Sequence, residues 1–299
     1  MTGAVRNDDF RCGYAAIIGR PNVGKSTLLN RLVGQKISIT SKKAQTTRHR
    51  VTGIATTSDA QFAFVDTPGF QTKHRSRLND RMNRTVTQSI ADVDAAVLVI
   101  EAGHTTGADR AVVGLLPAGA RVVVALSKVD RLKDRDALLP QMAELSLLYP
   151  FAAIVPVSAE KERGLDSLLA EVRSLLPAGA ALFAVDEITD RDERFLAAEF
   201  IREKIFRLLG EEVPYATTVA IDRLEQEGPV RRIHATIYAD RENQRAILLG
   251  AGGAQMKEIA SKARADMERL FGGPVFLEVW VRVKHGWADD DALLTQFGY

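Results

Sequence analysis

Cysteine is nearly absent. Cys12 stands alone, so no intramolecular disulfide can form, and this usage is that of a chain folding in a reducing compartment. Long hydrophobic runs are missing too. The best apolar stretch near residue 95, AAVLVI, falls far short of the roughly 20 residues that a membrane span needs, so any membrane contact is expected to be peripheral. The opening MTGAVRNDDFR carries acids where a secretory signal needs a basic and then an apolar segment, and no such signal is expected. Nor is there an excess of one charge: 40 Lys and Arg stand against 38 Asp and Glu, and total charge therefore does not mark a nucleic-acid binder. Residues 1–190 hold 24 basic and 20 acidic side chains and residues 191–299 hold 16 and 18, so a nucleic-acid contact in the second half must come from a local arrangement. None of the five histidines forms a metal-ligand cluster with Cys12 or with acids, and no internal repeat or low-complexity tract is present.

What is present is ordinary globular material, 46% hydrophobic and 26% charged, long enough at 299 residues for about two domains. Between residues 14 and 176 the strand-length runs YAAIIG, FAFVD, AAVLVI, RVVVALS and AIVPVS are mostly separated by helical patterns. Strands buried on both faces with crossover helices predict an α/β domain over 1–176 with a doubly wound, mainly parallel sheet. PAGAALFAVDEITD, residues 177–190, has Pro and Gly and no period, and reads as a linker. Over 191–299 the grammar becomes helix, strand, strand, helix, helix, strand, a smaller α+β layer: Phe195, Ala198, Ile201, Ile205 and Leu208 recur at helical spacing, and VFLEVWVRV closes the series.

The motifs lie at strand ends, where such sheets bind ligands. Gly19-Arg20-Pro21-Asn22-Val23-Gly24-Lys25-Ser26 fits the P-loop pattern G-x-x-x-x-G-K-[S/T] between a strand and a helix. Its N–H groups would cradle phosphate, Lys25 would reach the terminal phosphates, Ser26 would ligate Mg²⁺, and Thr27 continues the cradle into the helix. Asp66-Thr-Pro-Gly69 would add an acid for a metal-bound water and, at Gly69, an N–H that senses the terminal phosphate. Alone, that tetrapeptide is a common turn; after a P-loop it is strong. Ser127-Lys128-Val129-Asp130 resembles N-K-x-D, in which the carboxylate, here Asp130, accepts both guanine N1–H and the 2-amino group; adenine offers neither donor. Ser127 stands where Asn is usual and makes a shorter reach. Ser158 and Ala159, after the last strand, would complete the base pocket. The polar stretch from Gly34 to Arg50 has no period and is expected to be a mobile switch loop, with Thr47 preferred to Thr46 as the hydroxyl that completes the Mg²⁺ shell.

In this order the motifs resemble the Era family of translation-factor-related GTPases. The resemblance covers nearly the whole chain, through GRPNVGKSTLLN, AQTTRHR, DTPGF, SKVD and VSA, then ITDRDERF, LLGAGGAQMKEI and LEVWVRVKHGWADD. It implies a P-loop GTPase domain followed by a KH domain, with GTP or GDP and Mg²⁺ as ligands. Its RNA clamp would be Gly250-Ala251-Gly252-Gly253, with Lys257 the nearest cation because Ala251 and Ala254 stand where Lys is frequent. It also implies a monomer that binds the 3′ end of small-subunit ribosomal RNA and assists assembly of the small ribosomal subunit in the cytoplasm, in part at the inner face of the cell membrane. Asn22 matches an Asn that helps to hold a monovalent cation in potassium-stimulated relatives, so K⁺ is a candidate third ligand. Lys25, Thr47, Gly69 and Asn22 are thus the candidate catalytic residues. Phe70 stands where Ras-like switches carry a water-positioning Gln, which predicts slow intrinsic turnover; Arg20 stays open as an internal arginine finger. Two further open readings are base stacking by Trp280 and Trp287 and ribosomal RNA contact by Lys73, Arg75, Arg77, Arg81 and Arg84, against packing and a solvated helix face respectively. The rival functions are a P-loop phosphotransferase, which would need an acceptor site, and an RNA-binding protein with a vestigial nucleotide pocket.

Overall fold

The structure, a computed structural model, describes residues 9–44, 46–70, 77–134, 136–210 and 212–299. In chain order the first part contains β1 (Arg11–Ile18), α1 (Lys25–Val33), β2 (Val51–Thr56), β3 (Ala60–Asp66), α2 (Arg77–Ala91), β4 (Ala95–Glu101), α3 (Gly107–Val113), β5 (Val122–Ser127), α4 (Leu138–Leu148), β6 (Ala153–Pro156) and α5 (Leu165–Leu175). The strands form one sheet in the order β2-β3-β1-β4-β5-β6. All neighbouring pairs are parallel except β2 with β3, which run antiparallel. The apolar runs become strands because both faces are covered: Ile17, Ile18, Phe64, Val97 to Ile100 and Val122 to Leu126 are fully buried. Parallel pairing places the carboxyl ends of β1, β3 and β5 along one edge, and with them the P-loop, Asp66 and Ser127.

β2 is the strand that the apolar runs do not predict. VTGIAT holds two large apolar residues, and pairing with β3 from Val51↔Asp66 to Thr56↔Gln61 decides its state. The segment read as a linker also packs on this part. Ile54 N–H donates to the Ile188 carbonyl at 2.9 Å, and Gln61 Oε1 accepts from the N–H groups of Leu182 and Phe183 at 2.7 and 2.9 Å.

By internal contacts the chain divides into two units, the second made of Ile39–Thr46, a short piece ending at Arg81, and Arg191–Tyr299. It contains α6 (Glu193–Leu208), α7 (Glu212–Tyr215), β7 (Thr217–Glu227), β8 (Val230–Ala239), α8 (Glu242–Leu249), α9 (Ala254–Phe271), β9 (Val275–Val283) and α10 (Asp291–Gln296). β8 lies between β7, antiparallel to it, and β9, parallel to it. Phe200, Ile201 and Ile205 of α6, Ile233 and Ile237 of β8, and Ile259 and Met267 of α9 form its core. Asp192 caps α6 by accepting from Phe195 N–H at 2.8 Å.

Ile39 is buried in that same core. The Thr40 N–H donates to Glu203 at 2.9 Å, Arg207 donates to the Thr40 carbonyl at 2.8 Å, and Tyr215 donates to the Ala44 carbonyl at 3.1 Å. Within the polar stretch from Gly34 to Arg50, Ile39, Thr40 and Ala44 are thus tied to the second unit by burial and by hydrogen bonds to α6 and α7.

Candidate functional site

The P-loop leaves β1 at Gly19, whose φ is +148° and where a Cβ would fall 2.5 Å from the Val99 carbonyl oxygen of β4. Only glycine permits that approach. Lys25, at the head of α1, is buried and donates to the carbonyls of Gly19 and Arg20, both at 3.0 Å. Burial lowers its pKa from 10.5 to about 8, while the charge of Asp66 works in the opposite direction. Ser26 and Thr27 follow in the first turn of α1.

Asp66 ends β3 and is wholly buried, and this burial raises its pKa against the opposing charge of Lys25. Its Oδ2 accepts from Ser26 Oγ at 2.7 Å and from Ser38 Oγ at 2.8 Å, and Thr47 Oγ1 lies 2.8 Å from Ser26 Oγ. Its Oδ1 is buried with no hydrogen-bond partner. An orphaned carboxylate oxygen beside two hydroxyls is a set of hard oxygen donors, the chemistry that Mg²⁺ takes, so Ser26, Thr47 and Asp66 fit that ion. Thr46 is elsewhere, donating to the Lys43 carbonyl at 2.8 Å.

Gly69 packs on the P-loop so closely that a Cβ would come within 2.9 Å of Pro21 N, Cα and Cγ. The next side chain, Phe70, packs on the apolar cluster that includes Ile18, Val86 and Leu98. It offers no hydrogen-bonding group to a water.

The guanine-type motif is tied to the P-loop at two points. Ser127 Oγ, buried at the end of β5, donates to the Val23 carbonyl at 2.6 Å. Lys128 Nζ donates to the Asn22 carbonyl at 2.7 Å and pairs with Glu101 at 3.1 Å. Ser127, despite its shorter reach, therefore still touches the loop. Asn22 itself is exposed, at φ +64°. Asp130 accepts from Ser158 Oγ at 2.5 Å, a bond that lowers its pKa and keeps it an acceptor. Ala159 follows in the turn that Ser158 and Arg163 close by two backbone hydrogen bonds of 2.9 and 3.0 Å. Arg20, which the sequence leaves open as a finger, donates through Nε to Asp109 at 3.1 Å and through a terminal nitrogen to Glu101 at 3.1 Å. Sequence reasoning missed Ser38, Glu101 and Asp109, none of which lies in a motif of fixed spacing.

In the second unit α8 ends at Leu249, Gly250 to Gly253 turn the chain, and α9 starts at Ala254. Gly252 and Gly253 have φ of +58° and +80°, and a Cβ on either would meet nothing within 4 Å. The turn is therefore open at these two positions. Ala251 and Lys257 are exposed there. Trp280 is 58% exposed, whereas Trp287 is buried, donates to the Ala216 carbonyl at 3.1 Å and packs against Phe297 and Tyr299. Trp287 is thus a packing residue and has no face free for a base. Of the basic run after Gly69, Lys73 and Arg75 lie outside the described residues, Arg77 and Arg81 pair with Asp291, and Arg84 is exposed.

Comparison with known proteins matches a family to each part of the chain. Residues 14–128 match the family described as 50S ribosome-binding GTPase, and residues 212–288 match the KH domain. GTPase Era of Nitrosomonas eutropha is 54% identical over 97% of this chain and 98% of its own length. A crystal structure of Aquifex aeolicus Era Y63A bound to GDP and AlF4⁻ superposes with a TM-score of 0.93 at 38% identity, covering 97% of this chain and 99% of that one. A crystal structure of Era in complex with MgGDPNP and nucleotides 1506–1542 of 16S ribosomal RNA gives the same TM-score, identity and coverage. With half of its residues shared over nearly the full length of that relative, the chain belongs to the GTPase Era family.

Proposed function

We propose that the chain is a Mg²⁺-dependent GTP-hydrolysing switch that binds the 3′ end of small-subunit ribosomal RNA and assists assembly of the small ribosomal subunit. The observation that carries it is the hydroxyl cluster at Asp66, where Ser26 Oγ donates to Oδ2 and lies 2.8 Å from Thr47 Oγ1 while Oδ1 is buried without a partner. Mg²⁺, which Ser26, Thr47 and Asp66 would hold, would neutralise phosphate charge. P-loop N–H groups and Lys25 bind the phosphates, Asp130 with Ser158 reads the guanine edge beside Ala159, and the Gly69 N–H senses the terminal phosphate. Residues 1–176 carry the hydrolysis, 177–190 join the two parts, and 191–299 carry the RNA clamp formed by Gly250, Ala251, Gly252, Gly253 and Lys257. That a related Era crystallised with MgGDPNP and 16S ribosomal RNA supports both halves of the reading. The proposed setting is the cytoplasm, with the protein acting as a monomer. Contact with the inner face of the cell membrane would be peripheral, because no helix among the described residues is long and apolar enough to cross it.

Phe70 cannot orient water, so another positive charge must serve the transferring phosphate. We assign that charge to K⁺, which the Asn22 side chain would help to hold beside the phosphates. The left-handed conformation and exposure of Asn22 support the assignment. The test is phosphate release from GTP, without any acceptor, at equal ionic strength in KCl and NaCl. Slow turnover, faster in KCl and insensitive to the salt in Asn22→Ala, is expected. Equal parent rates in the two salts would remove the potassium role, and phosphate transfer only to an added acceptor would favour a kinase.

A further inference from the structure

Arg20 is the charged P-loop side chain for which the nucleotide reading has no use, and its surroundings are built. Its Nε faces Asp109 at 3.1 Å and a terminal nitrogen faces Glu101 at 3.1 Å. Asp109 is 1% exposed, and its Oδ2 is also the acceptor for the Thr106 N–H at 2.9 Å and the Thr106 hydroxyl at 2.5 Å, closing the capping box of α3. Such a carboxylate is fixed in direction, and left without its cation it would be a costly buried charge. Glu101, at the end of β4, takes Lys128 as a second cation at 3.1 Å. Burial works against its ionisation, but Lys128 and Arg20 outweigh burial and hold its pKa below the usual value.

We propose that Arg20 is a positioning residue, clamped by Asp109 and Glu101 so that the P-loop is held against the end of β4 and the head of α3, and is no finger for the transferring phosphate. The proposal rests on the GTP-hydrolysing reading of the same loop. Two consequences follow along the chain. The Arg20 carbonyl is one of the two that hold Lys25, and the next residue, Pro21, is the one that Gly69 touches. The clamp therefore sets the floor of the phosphate site and the approach of Gly69 together. It complements the Ser127 and Lys128 bonds to Val23 and Asn22, so residues 20, 22 and 23 are each anchored to the ends of β4 and β5.

The experiment compares Arg20→Ala, Asp109→Asn and the double variant, by release of a fluorescent GDP analogue and by kcat and KM for GTP. Binding of GDP by the parent, measured first, tests the nucleotide reading separately. If the clamp acts as one unit, each single variant speeds GDP release about tenfold and the double variant does so by no more than either. Arg20→Lys should fall between parent and Arg20→Ala, since an ammonium keeps the charge without the fork that spans two carboxylates; this arm stands if Asp109→Asn fails to fold. Multiplying effects in the double variant would overturn the proposal. So would a loss of kcat of a hundredfold or more in Arg20→Ala with GDP release unchanged, the signature of a finger.

Discussion

Two side chains of the nucleotide site show how burial and charge compete. The opposite charges of Lys25 and Asp66 favour ionisation of both, yet burial dominates, lowering the pKa of the lysine and raising that of the acid. For Lys25 the folded value of about 8 lies below the ordinary 10.5. The unfolded chain therefore binds more protons between those values, and stability rises with pH across that window. The gain is complete above about 10.5 and is lost as the pH falls through about 8. In denaturant melts of the nucleotide-free protein the parent should gain on the order of 3 kcal/mol more than Lys25→Met over this window. Parallel pH profiles for the two proteins would contradict it. Asp130 makes the second prediction. Its bond from Ser158 keeps it a carboxylate, so Asp130→Asn should weaken GTP by about 2 to 3 kcal/mol and favour xanthosine triphosphate, whose 2-carbonyl accepts from the new amide. Nucleotide competition would read this, and unchanged GTP binding would deny Asp130 its role.

At the scale of elements, the proposed RNA contact of the turn between α8 and α9 rests chiefly on backbone glycines. Gly252 and Gly253 occupy left-handed conformations with open space around them, so Asp at both positions meets no clash and costs only the strain that Asp tolerates better than most residues. Gly252→Asp with Gly253→Asp should thus fold and hydrolyse GTP normally, yet lose a single-stranded oligonucleotide of the ribosomal RNA 3′ end, because two carboxylates would face its phosphates. Fluorescence anisotropy would measure it, and parent-like affinity would move the RNA surface elsewhere. Not every element is so legible. β2 is a strand because β3 pairs with it, and α10 is held by contacts such as those of Arg77 and Arg81 with Asp291, remote in sequence.

Over the whole molecule, local pattern was enough for the fold class. Apolar runs alternating with amphipathic stretches, then helix, strand, strand, helix, helix, strand, specify a parallel α/β sheet and a small three-stranded layer, because period and turn chemistry are properties of short segments. Motif spacing was likewise enough to name Ser26 and Asp66, which the fold brings together, but it barely separated Thr46 from Thr47, of which the structure places Thr47 beside Ser26. Tertiary structure alone decided where the unpatterned segments went. Residues 39–44 join the second core through Ile39 and Glu203, and 177–190 lie along β2 and Gln61, since neither carries a period that announces its partner. It also decided the use of single polar side chains. Ser38 reaches Asp66, Ser127 reaches Val23, and Arg20 is taken by Asp109 and Glu101, each across 28 or more residues of sequence. Hydrogen bonds at such separations depend on which strand ends meet, and that is settled only when the sheet has formed.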